Sequence, residues 1–215
     1  MQNFLNSLKI QRWDDHRYYH HSLVNQSLHF VSAISFLCSY ALLLKDPALA
    51  ALVAWLVSMT TRQSGHFFFE PRGYDEVNHA THEYKESIKV GYNLQRKRVL
   101  MAIWALSPLV LLVDPTIFGL LPTPTSTWEL FRHVGYIWFA VGAGGFIFRI
   151  LQLFVQQDFA TGLVWAMKIL TDPFHDIQIY YKSPLYLFTN SGPEHELVVE
   201  DDEEGEIDDE PAPAH

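Results

Sequence analysis

The sequence has very little cysteine: Cys38 is the single one among 215 residues. One cysteine excludes an intrachain disulfide, and it excludes structural metal sites built from several thiolates. Any metal site in this chain must therefore use nitrogen and oxygen ligands.

Net charge is also scarce outside one stretch. The formal charge of −9 comes largely from residues 196–210, which contain ten acids and no base. The remainder is close to neutral, so it creates no large field that would attract nucleic acid. We therefore predict no nucleic-acid partner. Residues 191–215 form an acidic tail that is predicted to be disordered, and its partner stays open.

Long apolar runs are few and short. The amino terminus lacks the apolar core of a secretory signal, so we expect membrane insertion to come from internal segments. There are four candidates: Phe30–Leu44, Ala48–Thr60, Val99–Val113 and Gly135–Val155. Only Lys45-Asp46-Pro47 separates the first two, which predicts a tight helical hairpin. The first three are shorter than the roughly 20 residues of a full span, and a buried soluble helical core is the alternative. Because Trp and Tyr cluster near the segment ends, we favour an all-α, multi-pass membrane bundle over residues 1–190.

Basic residues predict how this bundle is oriented. The stretch between the second and third segments is rich in them: Arg62, Arg72, Lys85, Lys89, Arg96, Lys97 and Arg98. The loop 114–134 has only Arg132. The positive-inside rule then places both termini in the cytoplasm, with most histidines on that side and His133 on the other.

Histidine is what the sequence has in excess, with 11 in the chain and seven of them between residues 16 and 82. His21, Asn25 and His29 are spaced i, i+4, i+8, so a helix would align them on one face where an apolar run begins. Neutral imidazole is a common metal ligand, although such residues can also be plain solvent-facing histidines.

A second histidine group follows the second apolar segment. His66 and Glu70 are four apart on a helix that we expect to continue to Glu70. A further helix predicted over residues 75–86 would place His79 and His82 on one face with a glutamate, as a candidate ligand set for iron or zinc. The alternative is an exposed helix with Glu–Lys pairs.

A ligand set of histidines and carboxylates without cysteine favours an iron site over a structural zinc site. A site at the bilayer surface also meets acyl chains and limits contact with water. These observations suggest a membrane iron oxygenase that uses Fe(II) and O2 on a fatty acyl substrate.

Two motifs carry a family resemblance. Tyr19-His20-His21-x-x-x-Asn25-x-x-x-His29 and Gln63-Ser64-Gly65-His66-x-x-x-Glu70 resemble the signatures of the membrane-bound Fe(II)-dependent 2-hydroxy fatty acid dioxygenases. The resemblance covers residues 18–72. It implies α-oxidation that shortens the substrate by one carbon. It also implies iron ligation by His21, His29 and His66, with His20 and Glu70 as ligands or neighbours of ligands and Asn25 as a hydrogen-bonding orienter.

Two other interpretations stay open. Parts of the pattern, His16-x-x-x-His20-His21 and His79-x-x-His82, resemble the histidine boxes of membrane di-iron desaturases and hydroxylases, but a third His-x-x-His-His box is absent. The other interpretation is a non-catalytic membrane scaffold or lipid-binding protein, which would carry no metal.

Overall fold

The computed structural model describes residues 2–76 and 78–189, and within these ranges the chain is helical and forms no strand. The α-helices are α1 Gln2–Tyr19, α2 Leu23–Leu43, α3 Pro47–Val53, α4 Thr60–Ser64, α5 His82–Ile88, α6 Leu94–Leu106, α7 Val110–Val113, α8 Thr127–Gln156, α9 Phe159–Tyr180 and α10 Ser183–Thr189. Two π-helical segments, Ala54–Met59 and Gly65–Phe69, flank α4, and the 3-10 segment Ser107–Leu109 joins α6 to α7. The all-α prediction is confirmed, while the predicted tail at 191–215 lies outside the described residues.

The break between α1 and α2 decides which histidine enters the interior. Ser22 is extended, with φ −94° and ψ 142°, and its hydroxyl accepts a hydrogen bond from the backbone N–H of Asn25 at 3.1 Å. This N-cap starts a new helix, so His21 precedes the helix instead of lying within it. The predicted helical row of His21, Asn25 and His29 is therefore wrong at its first member.

The predicted hairpin between the first two apolar segments is confirmed. Asp46 caps α3 by accepting from the N–H of Leu49 at 3.1 Å, and Pro47 occupies the first turn, where a missing N–H costs nothing. The chain then stays helical through the two π-helical segments to Phe69, and Glu70 is extended. This brings His66 to the end of the helical run, as the sequence predicts.

The predicted helix over residues 75–86 is wrong in its first half. Asp75 accepts a hydrogen bond from the N–H of Asn78 at 3.0 Å and pairs its backbone with Ala80, so a turn replaces the helix. His79 has φ 47°, outside the helical region, and α5 begins only at His82. The two histidines consequently do not share a helical face.

Three tryptophans pack together in the interior of the helical bundle. The indole N–H of Trp55 donates to the carbonyl of Trp138 at 2.8 Å, and that of Trp138 donates to the carbonyl of Trp104 at 3.0 Å. Gly135 allows α3 and α8 to approach closely, because a Cβ there would lie 2.4 Å from the carbonyl oxygen of Ala48. The α2–α3 hairpin is thereby fixed against α8.

Of the described helices, α2 and α8 are long and apolar enough to cross a membrane. Helix α8 turns Phe148 and Val155 outward, with 63% and 86% of their surfaces exposed, which fits lipid better than water. This finding supports association with a membrane, whereas four crossings and their orientation stay predictions.

Candidate metal centre

Three buried histidines from separate parts of the chain converge. His20 lies at the break before α2, His29 lies on α2, and His66 lies in the π-helical segment Gly65–Phe69. One ring nitrogen from each lies within 4.8 Å of the other two, and the three residues are 3%, 0% and 8% exposed. We call these three residues the histidine triad.

Asn25 and Gly65 set the spacing of the triad. The Asn25 amide donates to the carbonyl of Tyr19 at 2.8 Å, which fixes the chain just before His20. A Cβ on Gly65 would lie 2.2 Å from the Asn25 side-chain oxygen, so only glycine lets the helix that carries His66 approach this closely. The orienting role of Asn25 toward the metal site stays a prediction.

The triad fits a transition-metal ion. Nε2 of His20 and both ring nitrogens of His29 are buried and have no hydrogen-bond partner among the described residues. Unsatisfied buried nitrogens are costly unless something binds them. With metal–nitrogen distances of about 2.0–2.1 Å, two imidazole nitrogens at a tetrahedral angle lie about 3.4 Å apart, so the rings would close from separations of up to 4.8 Å to bind one ion. Imidazole donors suit iron, zinc, copper and nickel alike.

The surroundings keep the triad in its metal-binding form. Burial, reinforced by the charge of Lys97, lowers the pKa of His66 well below 6.5. Burial, reinforced by His29, does the same to the pKa of His20. Neutral imidazole has a lone pair available for a metal, whereas imidazolium does not.

Tyr180 orients His20. Its hydroxyl lies 2.7 Å from Nδ1 of His20 and 2.5 Å from Nδ1 of His16. A hydroxyl has one proton, so it donates to one ring and accepts from the other. Either way Nδ1 of His20 is engaged, which leaves the buried Nε2 for a metal. Such partners behind a ligand fix its tautomer and its orientation.

Carboxylates stand behind the other two rings. Glu70 contacts Nδ1 of His66 directly. Asp176 approaches Nδ1 of His29 to 3.9 Å and accepts from the guanidinium of Arg62 at 2.9 Å. Carboxylates in this position raise the basicity of ligating imidazoles.

Helix α9 supplies functional residues that the sequence analysis missed. Lys168, Asp172, Asp176 and Tyr180 recur at every fourth position and are 6%, 4%, 1% and 5% exposed. The ammonium of Lys168 lies 2.7 Å from Asp172 and 2.5 Å from Asp15 on α1. A polar row at helical spacing on an otherwise apolar helix is the signal that could have revealed them.

A cavity of about 450 Å³ adjoins the triad and has His20 and His66 in its wall. Its volume lies within the roughly 300–1,000 Å³ of small-molecule sites. Most of the remaining wall is apolar and aromatic, and includes Phe36, Trp55, Met101, Trp138, Phe146 and Trp165. The arrangement therefore places candidate metal ligands at the edge of an apolar chamber.

The predicted ligands divide into those in the triad and those outside it. His29 and His66 lie in the triad, and His20, predicted as a catalytic residue or ligand, is its third member. His21 is exposed, with Nε2 3.9 Å from a carboxylate oxygen of Asp75. His79 is exposed and His82 begins α5, both outside the triad.

Comparison of the chain with protein-family models, with curated proteins and with solved structures finds no match.

Proposed function

We propose that this protein is a membrane enzyme, an Fe(II)-dependent dioxygenase that acts on 2-hydroxy fatty acids and shortens them by one carbon. The observation that carries the proposal is the buried histidine triad with unpartnered ring nitrogens at the edge of an apolar cavity. The resemblance of the two histidine motifs to those of 2-hydroxy fatty acid dioxygenases supports the choice of substrate.

His20, His29 and His66 would hold the ion, and bound Fe(II) supplies the redox chemistry that activates O2 beside the substrate. The protein's own residues do the rest. Tyr180 and Glu70 fix the rings of His20 and His66 from behind through the contacts described above. The apolar cavity accommodates the acyl chain and keeps bulk water from the reacting atoms.

The proposal includes the finer topology. Four crossings would place both termini and the triad on the cytoplasmic side, with His133 on the other side. The excess of basic residues between the second and third apolar segments supports this orientation.

Iron content tests the metal centre. We expect about one iron per chain in the anaerobically purified, detergent-solubilised wild type. We expect none in His66→Ala or His20→Ala, because the two imidazoles that remain do not hold the ion. His21→Ala should keep its iron, since this side chain lies outside the triad. Elemental analysis per chain gives the numbers, and mass spectrometry of products from 2-hydroxypalmitate should show a fatty acid one carbon shorter.

His133→Ala is the control, because its ring lies 2.8 Å from the carbonyl oxygen of Pro115, away from the triad. It should keep both iron and activity. Two irons per chain, with a hydroxylated or unsaturated product, would favour the di-iron enzyme instead. No metal in the wild type even after Fe(II) reconstitution would leave the non-catalytic membrane protein.

A further inference from the structure

Two lysines in the cavity wall form no close ion pair with a described residue. Lys97, in the first turn of α6, is 9% exposed. Among the described residues its ammonium has no hydrogen bond and no carboxylate oxygen within 4.0 Å. Lys89, after α5, places its ammonium 3.4 Å from the ring centroid of Tyr19 and likewise makes no ion pair with a described residue.

The other cations of the wall are neutralised. Lys168 pairs with Asp15 and Asp172, and Arg62 with Asp176. Lys85, which is fully buried, lies 3.6 Å from a carboxylate oxygen of Asp75. Among the described cations of the wall, Lys89 and Lys97 are therefore the two without an ion pair.

The nearby acids are occupied elsewhere. Glu70 contacts Nδ1 of His66, and Glu86 accepts from the backbone N–H of Leu94 at 2.6 Å. Burial and the neighbouring charge of Lys89 lower the pKa of Lys97 well below its ordinary value, and Glu70 and Asp15 only partly offset this effect. A buried ammonium in this position is costly unless an anion joins it.

The two lysines lie at the triad end of the cavity. Lys89 and Lys97 line the same cavity as His20 and His66, and Lys89 lies over the ring of Tyr19, the residue that precedes His20. The charge of Lys97 also contributes to the lowered pKa of His66. Leu100 and Met101 follow Lys97 by one turn on the same face of α6, and with Trp55 they contribute to the apolar part of the wall. Charge at one end and an aromatic chamber at the other match an amphiphile with one anionic head.

We propose that Lys97, with Lys89 beside it, binds the carboxylate of a long-chain fatty acid whose acyl chain occupies the apolar part of the cavity. This inference rests on the proposed function and deepens it, because the two lysines would hold the carboxylate of the substrate next to the triad. Binding itself needs no metal, however, so it can be measured separately from catalysis.

The test is displacement of a fluorescent fatty acid from the full chain in phosphatidylcholine nanodiscs under nitrogen, with palmitate and with hexadecanol as competitors. Hydrogen bonds to charged groups contribute about 1.5–3 kcal/mol, so palmitate should bind roughly 10- to 100-fold more tightly than hexadecanol. Lys97→Met should lose this preference and leave hexadecanol binding unchanged. Lys97→Arg, which keeps the charge, and Lys45→Met in the exposed α2–α3 turn should retain it.

Equal binding of palmitate and hexadecanol by the wild type would overturn the inference, as would an unchanged preference in folded Lys97→Met. Tighter binding of hexadecyl phosphate than of palmitate would overturn the assignment to a carboxylate. Iron content, measured on the same samples, separates the two proposals. One iron without a preference for palmitate refutes the lysine site alone, and a preference without iron refutes the iron centre alone.

Discussion

Tyr180 shows how one side chain beyond the triad can govern it. Its hydroxyl bridges His16 and His20, and all three side chains are largely removed from solvent. Nδ1 of His16 also lies 3.2 Å from Nδ1 of His20, so without the hydroxyl the ring of His20 keeps one of its two contacts on this side. The histidine and its tyrosine are 160 positions apart in the chain.

We therefore expect Tyr180→Phe to weaken iron binding by about 10- to 100-fold, the usual effect of removing a partner behind a metal ligand. The ring itself remains, so helix content should not change. A chelator competition with anaerobic protein measures the affinity. Tyr181→Phe is the matched control, because Tyr181 is 56% exposed and should behave as the wild type; equal weakening in both variants would contradict the role of Tyr180.

Gly65 is the second residue on which the triad depends. In Gly65→Ala the new methyl would overlap the side-chain oxygen of Asn25 and push His66 away from His29. We expect a loss of about 1–3 kcal/mol in the free energy of unfolding, as for other overpacked sites, together with loss of iron. Thermal unfolding and elemental analysis check both effects.

Gly144→Ala is the control for this substitution. A Cβ at Gly144 meets nothing within 4 Å, and alanine favours a helix more than glycine does. Stability and iron content should therefore be unchanged or slightly raised. If Gly65→Ala behaves in the same way, the close approach to Asn25 is not required.

At the scale of elements, α9 is held against α1 and α4 by charge as much as by apolar packing. Arg12 donates to Asp172 at 3.2 Å, Arg62 donates to Asp176 at 2.9 Å, and Lys168 bridges Asp172 and Asp15. Burial opposes ionisation of Asp15, but the ammonium groups of Lys168, Lys89 and Lys97 together outweigh it and lower the pKa of that carboxyl. These pairs fix the helix that carries Tyr180 and Asp176 into the site.

Lys168→Met should destabilise the protein by roughly 1.5–3 kcal/mol at neutral pH, because it leaves Asp15 and Asp172 without this cation. A carboxyl whose pKa is lowered on folding adds stability above its unfolded pKa of about 3.9, and this stability is lost as the pH falls. The difference in Tm between wild type and variant should therefore shrink below about pH 4.

Thermal unfolding from about pH 2 to pH 8 measures this difference. Lys9→Met on the exposed face of α1 should match the wild type throughout. A Tm difference for Lys168→Met that stays constant with pH would instead indicate lost packing of the lysine stem.

The elements differ in how far they could be predicted. The α2–α3 hairpin was predictable because Asp46 and Pro47 are local signals for a cap and a first turn. The break at Ser22 was not, because a serine inside an apolar helix and a serine that caps one look alike in sequence. The turn at Asp75 was missed for a similar reason, since its hydrogen bond to Asn78 competes with the helix that the acids there suggest.

At the scale of the whole molecule, the distribution of charge predicts how the chain is oriented in a membrane. Exposed apolar side chains occur on several helices, and two helices are long enough to span. The basic region between the second and third segments predicts that Tyr74 and His66 face the cytoplasm, while Thr123 faces the other side.

Cysteine labelling can decide this. In a Cys38→Ser background we expect a membrane-impermeant maleimide to label Tyr74→Cys only in inside-out vesicles and Thr123→Cys only in right-side-out vesicles, since both positions are exposed. Cys38→Ser without a new cysteine is the control and should not be labelled. Labelling of both positions from the same side would contradict the four crossings.

The sequence by itself determined the helical class, the hairpin and the choice of histidine and glutamate as the chemistry-bearing residues, because composition, caps and spacing act over a few neighbouring positions. It placed His29 and His66 in the candidate site on the same local grounds. Only the tertiary structure decided that His20, not His21, is the third member, and that α9 stands behind the triad. The first depends on the exact residue at which α2 begins, and the second depends on contacts between residues far apart in the chain. No local pattern specifies either.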